Sequence, residues 1–168
     1  MDRLDTSVRR VLLLICLFCI GLLGFSQYLQ QVGGVDPCPM CIVQRYVFVL
    51  LGLVAGVTTA SHRRGAHIAG ALVLVPLAGF GAYVAARQSW LQWYPPEVVS
   101  CGRDFYGMIE NFPLQRAIPM IFKGSGDCSK VDWTLLGGSI ANWTFLAFSA
   151  LCLLCLFLLW RLLRGRRS

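Results

Sequence analysis

Three Cys-x-x-Cys pairs and two single cysteines make up the eight cysteines of this chain. A pair at that spacing can open and close a disulfide, provided one sulfur is reachable and able to carry negative charge. Location separates the pairs. Cys16 and Cys19 lie in the middle of one apolar run, and Cys152 and Cys155 in the middle of another. No charged residue flanks them there, and a cysteine buried in apolar surroundings behaves as a small hydrophobe. Cys38 and Cys41 stand instead in Asp36-Pro37-Cys38-Pro39-Met40-Cys41, at the head of an apolar run. Pro37 and Pro39 are expected to bar a helix before Cys41, which puts Cys41 in or beside the first turn, where unpaired amides and the helix dipole favour a thiolate. Arg45 follows four residues later, one turn along the same face. An arginine inside an apolar span is costly and marks a functional candidate; its plainer reading is a side chain snorkelling to the interface. A guanidinium one turn from a reactive sulfur could steady the thiolate and hydrogen-bond a quinone carbonyl.

Cys101 and Cys128 are the remaining cysteines outside the apolar runs. They could form a second exchangeable pair or a single structural disulfide. A zinc site shared with Cys38 and Cys41 lacks the usual two Cys-x-x-Cys signatures, because Cys101 and Cys128 are far apart in sequence.

The elements that must position these residues follow from composition. Of 168 residues, 57% are hydrophobic and 14% charged, against about a quarter charged in soluble domains. The apolar residues collect into four runs, at about 11–28, 42–60, 68–86 and 143–163. A bilayer crossing takes about 20 such residues, so the expected fold is an all-α bundle of four transmembrane helices in a single membrane domain, 1–168. The first run has a basic flank and a faint small-x-small site at Gly24-Phe25-Ser26, but it is longer than a typical signal core and reads as an uncut helix. Two Cys-bearing loops remain, about 29–41 and 87–142. In the second, Leu114, Ile118, Ile121 and Phe122 recur at helical spacing and suggest a short helix lying in the membrane surface; Gly124-Ser125-Gly126-Asp127 reads as a tight turn. Gly52 and Gly56 have the small-xxx-small spacing of close helix contacts, and Pro76 is expected to kink the third span. Tyr28, Trp90, Trp93, Tyr94, Trp143 and Trp160 sit near span ends, where aromatic belts form.

The net charge of +7 is not a nucleic-acid footprint. Arg3, Arg9 and Arg10 precede the first span, His62, Arg63 and Arg64 fill the link between spans two and three, and Arg161, Arg164, Arg166 and Arg167 close the chain. The positive-inside rule makes that side cytoplasmic. Both termini are then inside and both Cys loops outside, periplasmic in a bacterium. His62 and His67 fall on the cytoplasmic side and read as ordinary solvated residues.

With these residues in place the chain resembles the DsbB family of inner-membrane, quinone-linked thiol oxidases. The resemblance rests on Cys38-Pro39-Met40-Cys41-Ile42-Val43-Gln44-Arg45, on Gly124-Ser125-Gly126-Asp127-Cys128 followed by Trp133, Leu136 and Gly137, and more weakly on Leu91-Gln92-Trp93-Tyr94-Pro95 ahead of Cys101. With four spans and the loop lengths it covers nearly the whole chain. It implies Cys38, Cys41, Cys101 and Cys128 as the catalytic cysteines, Arg45 as a quinone-binding residue, and no metal. It implies ubiquinone or menaquinone as electron acceptor and a periplasmic DsbA-like thioredoxin-fold protein as partner. In that scheme the reduced partner attacks a Cys101–Cys128 disulfide and bonds to Cys101; Cys128 then attacks Cys38 and releases Cys41 toward the quinone. Some relatives present a histidine where this chain reads Arg87-Gln88, so no histidine role is carried over.

Two other classes compete. A tetraspanin-like scaffold with a disulfide-stapled loop predicts permanently paired cysteines and gives Arg45 no task. A quinone reductase resembling the vitamin K epoxide reductase group shares the helices and a Cys-x-x-Cys, but such proteins usually place that pair late in the bundle. A transporter is disfavoured because, Arg45 apart, the spans lack charged groups at the midplane.

Overall fold

The computed structural model describes residues 2–33, 38–94, 134–135 and 137–164. Four helices account for most of them: α1 (Asp2–Gly33), α2 (Pro39–Ala60), α3 (Arg64–Trp93) and α4 (Ile140–Arg164). Two short strands, β1 (Thr134–Leu135) and β2 (Gly138–Ser139), precede α4. Each helix is long and apolar enough to cross a membrane, and the chain is an all-α, multi-pass membrane bundle of four spans. Cys101, Cys128, the expected surface helix over 114–122 and the expected turn Gly124-Ser125-Gly126-Asp127 lie outside the described residues.

Helix ends differ from expectation in an informative way. α1 runs on to Gly33, α3 to Trp93, and α4 begins at Ile140, so the helices reach into both of the segments expected as loops, 29–41 and 87–142. A run of apolar residues marks only the hydrocarbon core, about 30 Å thick, whereas backbone hydrogen bonding continues into the headgroup zone. α3 also continues through Pro76 without a break.

α3 has its most extensive packing with α4, while α1 packs on α2 and α2 on α3. One buried cluster draws on all four helices: Leu12, Ile15 and Cys19; Leu51 and Ala55; Leu74 and Ala78; Phe148, Leu151 and Cys155. Cys19 and Cys155 are thus core packing, with Cys16 and Cys152 against its edge. A Cβ added at Gly52 or Gly56 would meet Cys19 or Cys16 across the α1–α2 contact at ordinary van der Waals distance. The outward faces carry Leu14, Ile20, Leu53, Val57, Leu72 and Leu153, which would meet lipid.

A close helix approach is at Gly81 of α3. The ring of Phe148, stacked on Phe48 with centroids 4.1 Å apart, occupies the space a Cβ at residue 81 would need. Gly81→Ala must displace a fully buried ring, and overpacking of this kind costs about 1–3 kcal/mol. The expected result is a lower unfolding midpoint in mixed detergent micelles, with the Gly52→Ala variant, whose site has room, close to wild type.

Basic residues of α1, of the α2–α3 link and of α4 meet at one end. Arg9 of α1 donates from Nε to the Thr59 carbonyl at 3.1 Å and contacts Nδ1 of His62 at 3.1 Å. Arg64 donates to the Leu162 carbonyl near the end of α4 at 2.7 Å. The α1 start, the α2–α3 link and the α4 end are therefore neighbours, as the charge pattern requires. His67 departs from expectation: it is wholly buried, with Nε2 3.0 Å from the Ser61 carbonyl. The short link folds the first turns of α3 against the last turn of α2, where Gly70 abuts Thr58, and that closes over the imidazole.

Candidate functional site

The opposite end of the bundle holds Cys38 and Cys41. α2 begins at Pro39, two residues earlier than expected, because proline is at home in the first turn, where its missing N–H has no partner to lose. Cys38 is the N-cap, in extended conformation with φ −66° and ψ 159°, and its carbonyl accepts from Ile42 N at 3.1 Å. Its sulfur takes the task usually given to a serine or aspartate oxygen: Cys41 N donates to Cys38 Sγ at 3.3 Å. Capping brings the two side chains together, and their sulfurs stand 2.8 Å apart.

A small apolar cluster seats this pair. Cys38, Met40, Val84 and Leu91 are buried together, with Cys41 and Val43 against them. Cys38 is buried and Cys41 half-buried.

Two glutamines that sequence reading left without a role complete the site. Gln88 of α3 donates from Nε2 to Cys38 Sγ at 3.4 Å and to Cys41 Sγ at 3.2 Å. Gln44 of α2 donates from its own Nε2 to Gln88 Oε1 at 2.8 Å. Both are buried. The available signal was a pair of amides in or at the end of apolar spans, where a buried polar group needs a partner. What sequence could not supply was that the two amides, 44 residues apart, face each other.

Arg45 is where its spacing put it, one turn past Cys41, but its hydrogen bonds go to α1. Nη1 donates to Gln30 Oε1 at 2.7 Å and Nη2 to the Ser26 carbonyl at 3.3 Å. α2 thus presents Gln44 to α3 and Arg45 to α1. A guanidinium has five N–H donors, and these two bonds leave capacity for a ligand carbonyl. A lipid-soluble carbonyl compound needs such a donor beside apolar surface, and the neighbouring Tyr46, Val49 and Leu50 expose theirs on the same helix. These residues fit a quinone.

The start of α4 is tied to the same end. Ser139 caps α4 by accepting from Asn142 N at 3.4 Å and donates to Gln92 Oε1 of α3 at 2.5 Å. β1 pairs antiparallel with β2, Thr134 opposite Ser139 and Leu135 opposite Gly138; Gly137, at φ 80°, supplies the positive φ such a turn requires. Among the described residues no group of His, Cys, Asp and Glu is placed to hold a metal ion.

Comparison with known proteins places these features in a family. The family model described as "Disulfide bond formation protein DsbB" matches residues 8–158. The chain is 68% identical over 165 residues to a protein of Albidiferax ferrireducens, covering 98% of this chain and 95% of that one. It is 66% identical over 158 residues to one of Polaromonas naphthalenivorans, covering 94% and 95%. To one of Paracidovorax citrulli it is 57% identical over 165 residues, covering 98% and 94%. Each of the three is named "Disulfide bond formation protein B".

Proposed function

The chain belongs to the DsbB family of disulfide bond formation proteins, and from that membership we propose that it is a thiol oxidase of the bacterial inner membrane. It would reoxidise a periplasmic DsbA-like dithiol protein and pass the electrons to a membrane quinone. The observation that carries this reading is the Cys38–Cys41 pair: two sulfurs 2.8 Å apart, at the head of a membrane helix, at the end of the bundle opposite Arg9, Arg64 and the arginines closing α4. By the positive-inside rule the arginine-rich end is cytoplasmic and the thiol end periplasmic, where disulfides persist.

The exchange steps balance as thiol–disulfide chemistry. A thiolate of the reduced partner attacks Cys101 of a Cys101–Cys128 disulfide; that bond breaks, a partner–Cys101 bond forms, and Cys128 leaves with the electron pair. Cys128 then attacks Cys38 Sγ; the Cys38–Cys41 bond breaks and Cys41 leaves as thiolate. The partner's second thiol resolves its bond to Cys101 and the partner departs oxidised. Up to this point two electrons have moved from the partner's dithiol onto the chain's cysteines. Cys101 then attacks Cys128, which restores the Cys101–Cys128 disulfide and releases Cys38 as thiolate. Re-forming the Cys38–Cys41 disulfide from the two freed thiols needs a two-electron, two-proton acceptor, which a quinone held by Arg45 would supply.

The test is turnover: purified full-length protein, a reduced thioredoxin-fold dithiol protein, and a benzoquinone or naphthoquinone. Stoichiometric formation of quinol and oxidised partner is the expected result. Folded protein that reduces neither quinone would sink the oxidase reading and leave a disulfide-stapled membrane scaffold in its place.

A further inference from the structure

We propose that Gln88 is a further catalytic residue, donating a hydrogen bond to each sulfur of the Cys38–Cys41 pair, and that Gln44 is the positioning residue that aims it. The proposal rests on the thiol-oxidase reading for its purpose, but its geometry stands apart from quinone and partner. A primary amide has two N–H hydrogens on one nitrogen and a carbonyl oxygen on the other side. Which end faces the sulfurs is decided by Gln44, whose N–H holds Gln88 Oε1 at 2.8 Å. The Gln88 nitrogen is thereby turned to the cysteines, 3.4 Å from Cys38 Sγ and 3.2 Å from Cys41 Sγ. Two hydrogens thus meet two sulfurs.

The chemical consequence comes from the change in the sulfurs during exchange. A disulfide sulfur is a weak acceptor, whereas a thiolate is a strong, charge-assisted one. When an incoming thiolate bonds to Cys38 Sγ, the Cys38–Cys41 bond breaks and the electron pair leaves on Cys41 Sγ. That sulfur is the nearer of the two to the amide. The donor therefore favours the opened pair over the closed one, and a stabilised reduced form makes a disulfide a stronger oxidant. Cys38 also accepts from Cys41 N at 3.3 Å. Gln44 touches neither sulfur in these hydrogen bonds and acts through Gln88.

The test reads the equilibrium of this pair alone, in full-length protein carrying Cys101→Ser and Cys128→Ser, against a glutathione redox buffer. Neither quinone nor partner is present. Thiols are trapped with a maleimide, and the oxidised fraction is read on the peptide carrying Cys38 and Cys41. Gln88→Leu is expected to shift the equilibrium constant about tenfold toward the disulfide, about 30 mV more negative for a two-electron couple. Gln44→Leu should shift it the same way by a smaller factor. Gln88→His, which keeps an N–H donor, should restore most of the loss, a rescue that a merely space-filling residue would not show. A Gln88→Leu equilibrium within twofold of wild type overturns the proposal. Where Gln88→Leu fails to fold, Gln88→Glu decides: a carboxylate in place of the donor must shift the equilibrium at least as far, and no shift overturns the assignment. A wild type that equilibrates with glutathione yet reduces no quinone would sink the oxidase reading and leave the hydrogen-bond assignment intact.

Discussion

Cys41→Ser is expected to bring quinone-linked turnover down to background, a loss of at least about 10³-fold, as removal of a covalent participant typically causes. A hydroxyl cannot form the second half of a disulfide, so no electron pair can leave along this route. The variant should also accumulate something. Cys38 keeps its sulfur and its place as N-cap; as a thiolate it would attack Cys128 of a Cys101–Cys128 disulfide, so that a Cys38–Cys128 bond forms, Cys101 leaves as thiolate, and no Cys41 sulfur stands beside Cys38 to displace Cys128 again. A non-reducing digest should show that inter-loop disulfide in Cys41→Ser and not in Cys38→Ser, although both lack turnover. Wild-type rates in Cys41→Ser would remove the pair from the electron path. Cys19→Ala and Cys155→Ala provide the contrast: both sulfurs belong to the bundle core, so these variants should lower stability while each folded molecule turns over normally.

The second large effect concerns Arg45. Replacing it with methionine keeps the apolar stem and removes every donor. A hydrogen bond from a charged group contributes about 1.5–3 kcal/mol, so the KM for quinone should rise by about 10- to 100-fold. Arg45→Lys should fall between, since an ammonium keeps the charge but loses the planar fork that bonds Gln30 and the Ser26 carbonyl together. The other explanation is that Arg45 merely ties α1 to α2. Gln30→Leu separates the two ideas by cutting half of that tie while sparing the guanidinium. A Gln30→Leu enzyme with the same raised KM as Arg45→Met would make the arginine a strut; a KM near wild type would leave it as the quinone's donor.

How much of this was legible beforehand depends on the range of the interaction. The four spans were readable because each is a local run of apolar residues, and the shared end of α1, the α2–α3 link and α4 because basic residues mark it. Cys38, Cys41 and Arg45 were readable because their spacing is local: Cys-x-x-Cys at the head of an apolar run, and an arginine one turn past Cys41. Three features were not. Helix ends in the headgroup zone carry no apolar signal, which hid Arg87–Trp93 of α3. Proline was read as a barrier where the first turn of a helix accepts it, which displaced the start of α2. Gln44, Gln88 and the buried His67 owe their roles to contacts between helices, and no pattern along one helix reports what faces it. Cys101 and Cys128 lie outside the described residues, so their pairing rests on family membership.

The bond between Ser139 and Gln92 has a kinetic consequence. It brings the start of α4 within 2.5 Å of the last turn of α3, so the chain between residues 92 and 139, which includes Cys101 and Cys128, leaves and returns at one point. A thiol between those two fixed points is held near the Cys38–Cys41 pair at an effective concentration set by the length of chain between them. Its attack on Cys38 would be first order in protein and indifferent to dilution of the bundle in added lipid. Arrival of a quinone, in contrast, would slow in proportion to that dilution, so the lipid-to-protein ratio could distinguish the inter-loop step from electron exit without a mutation.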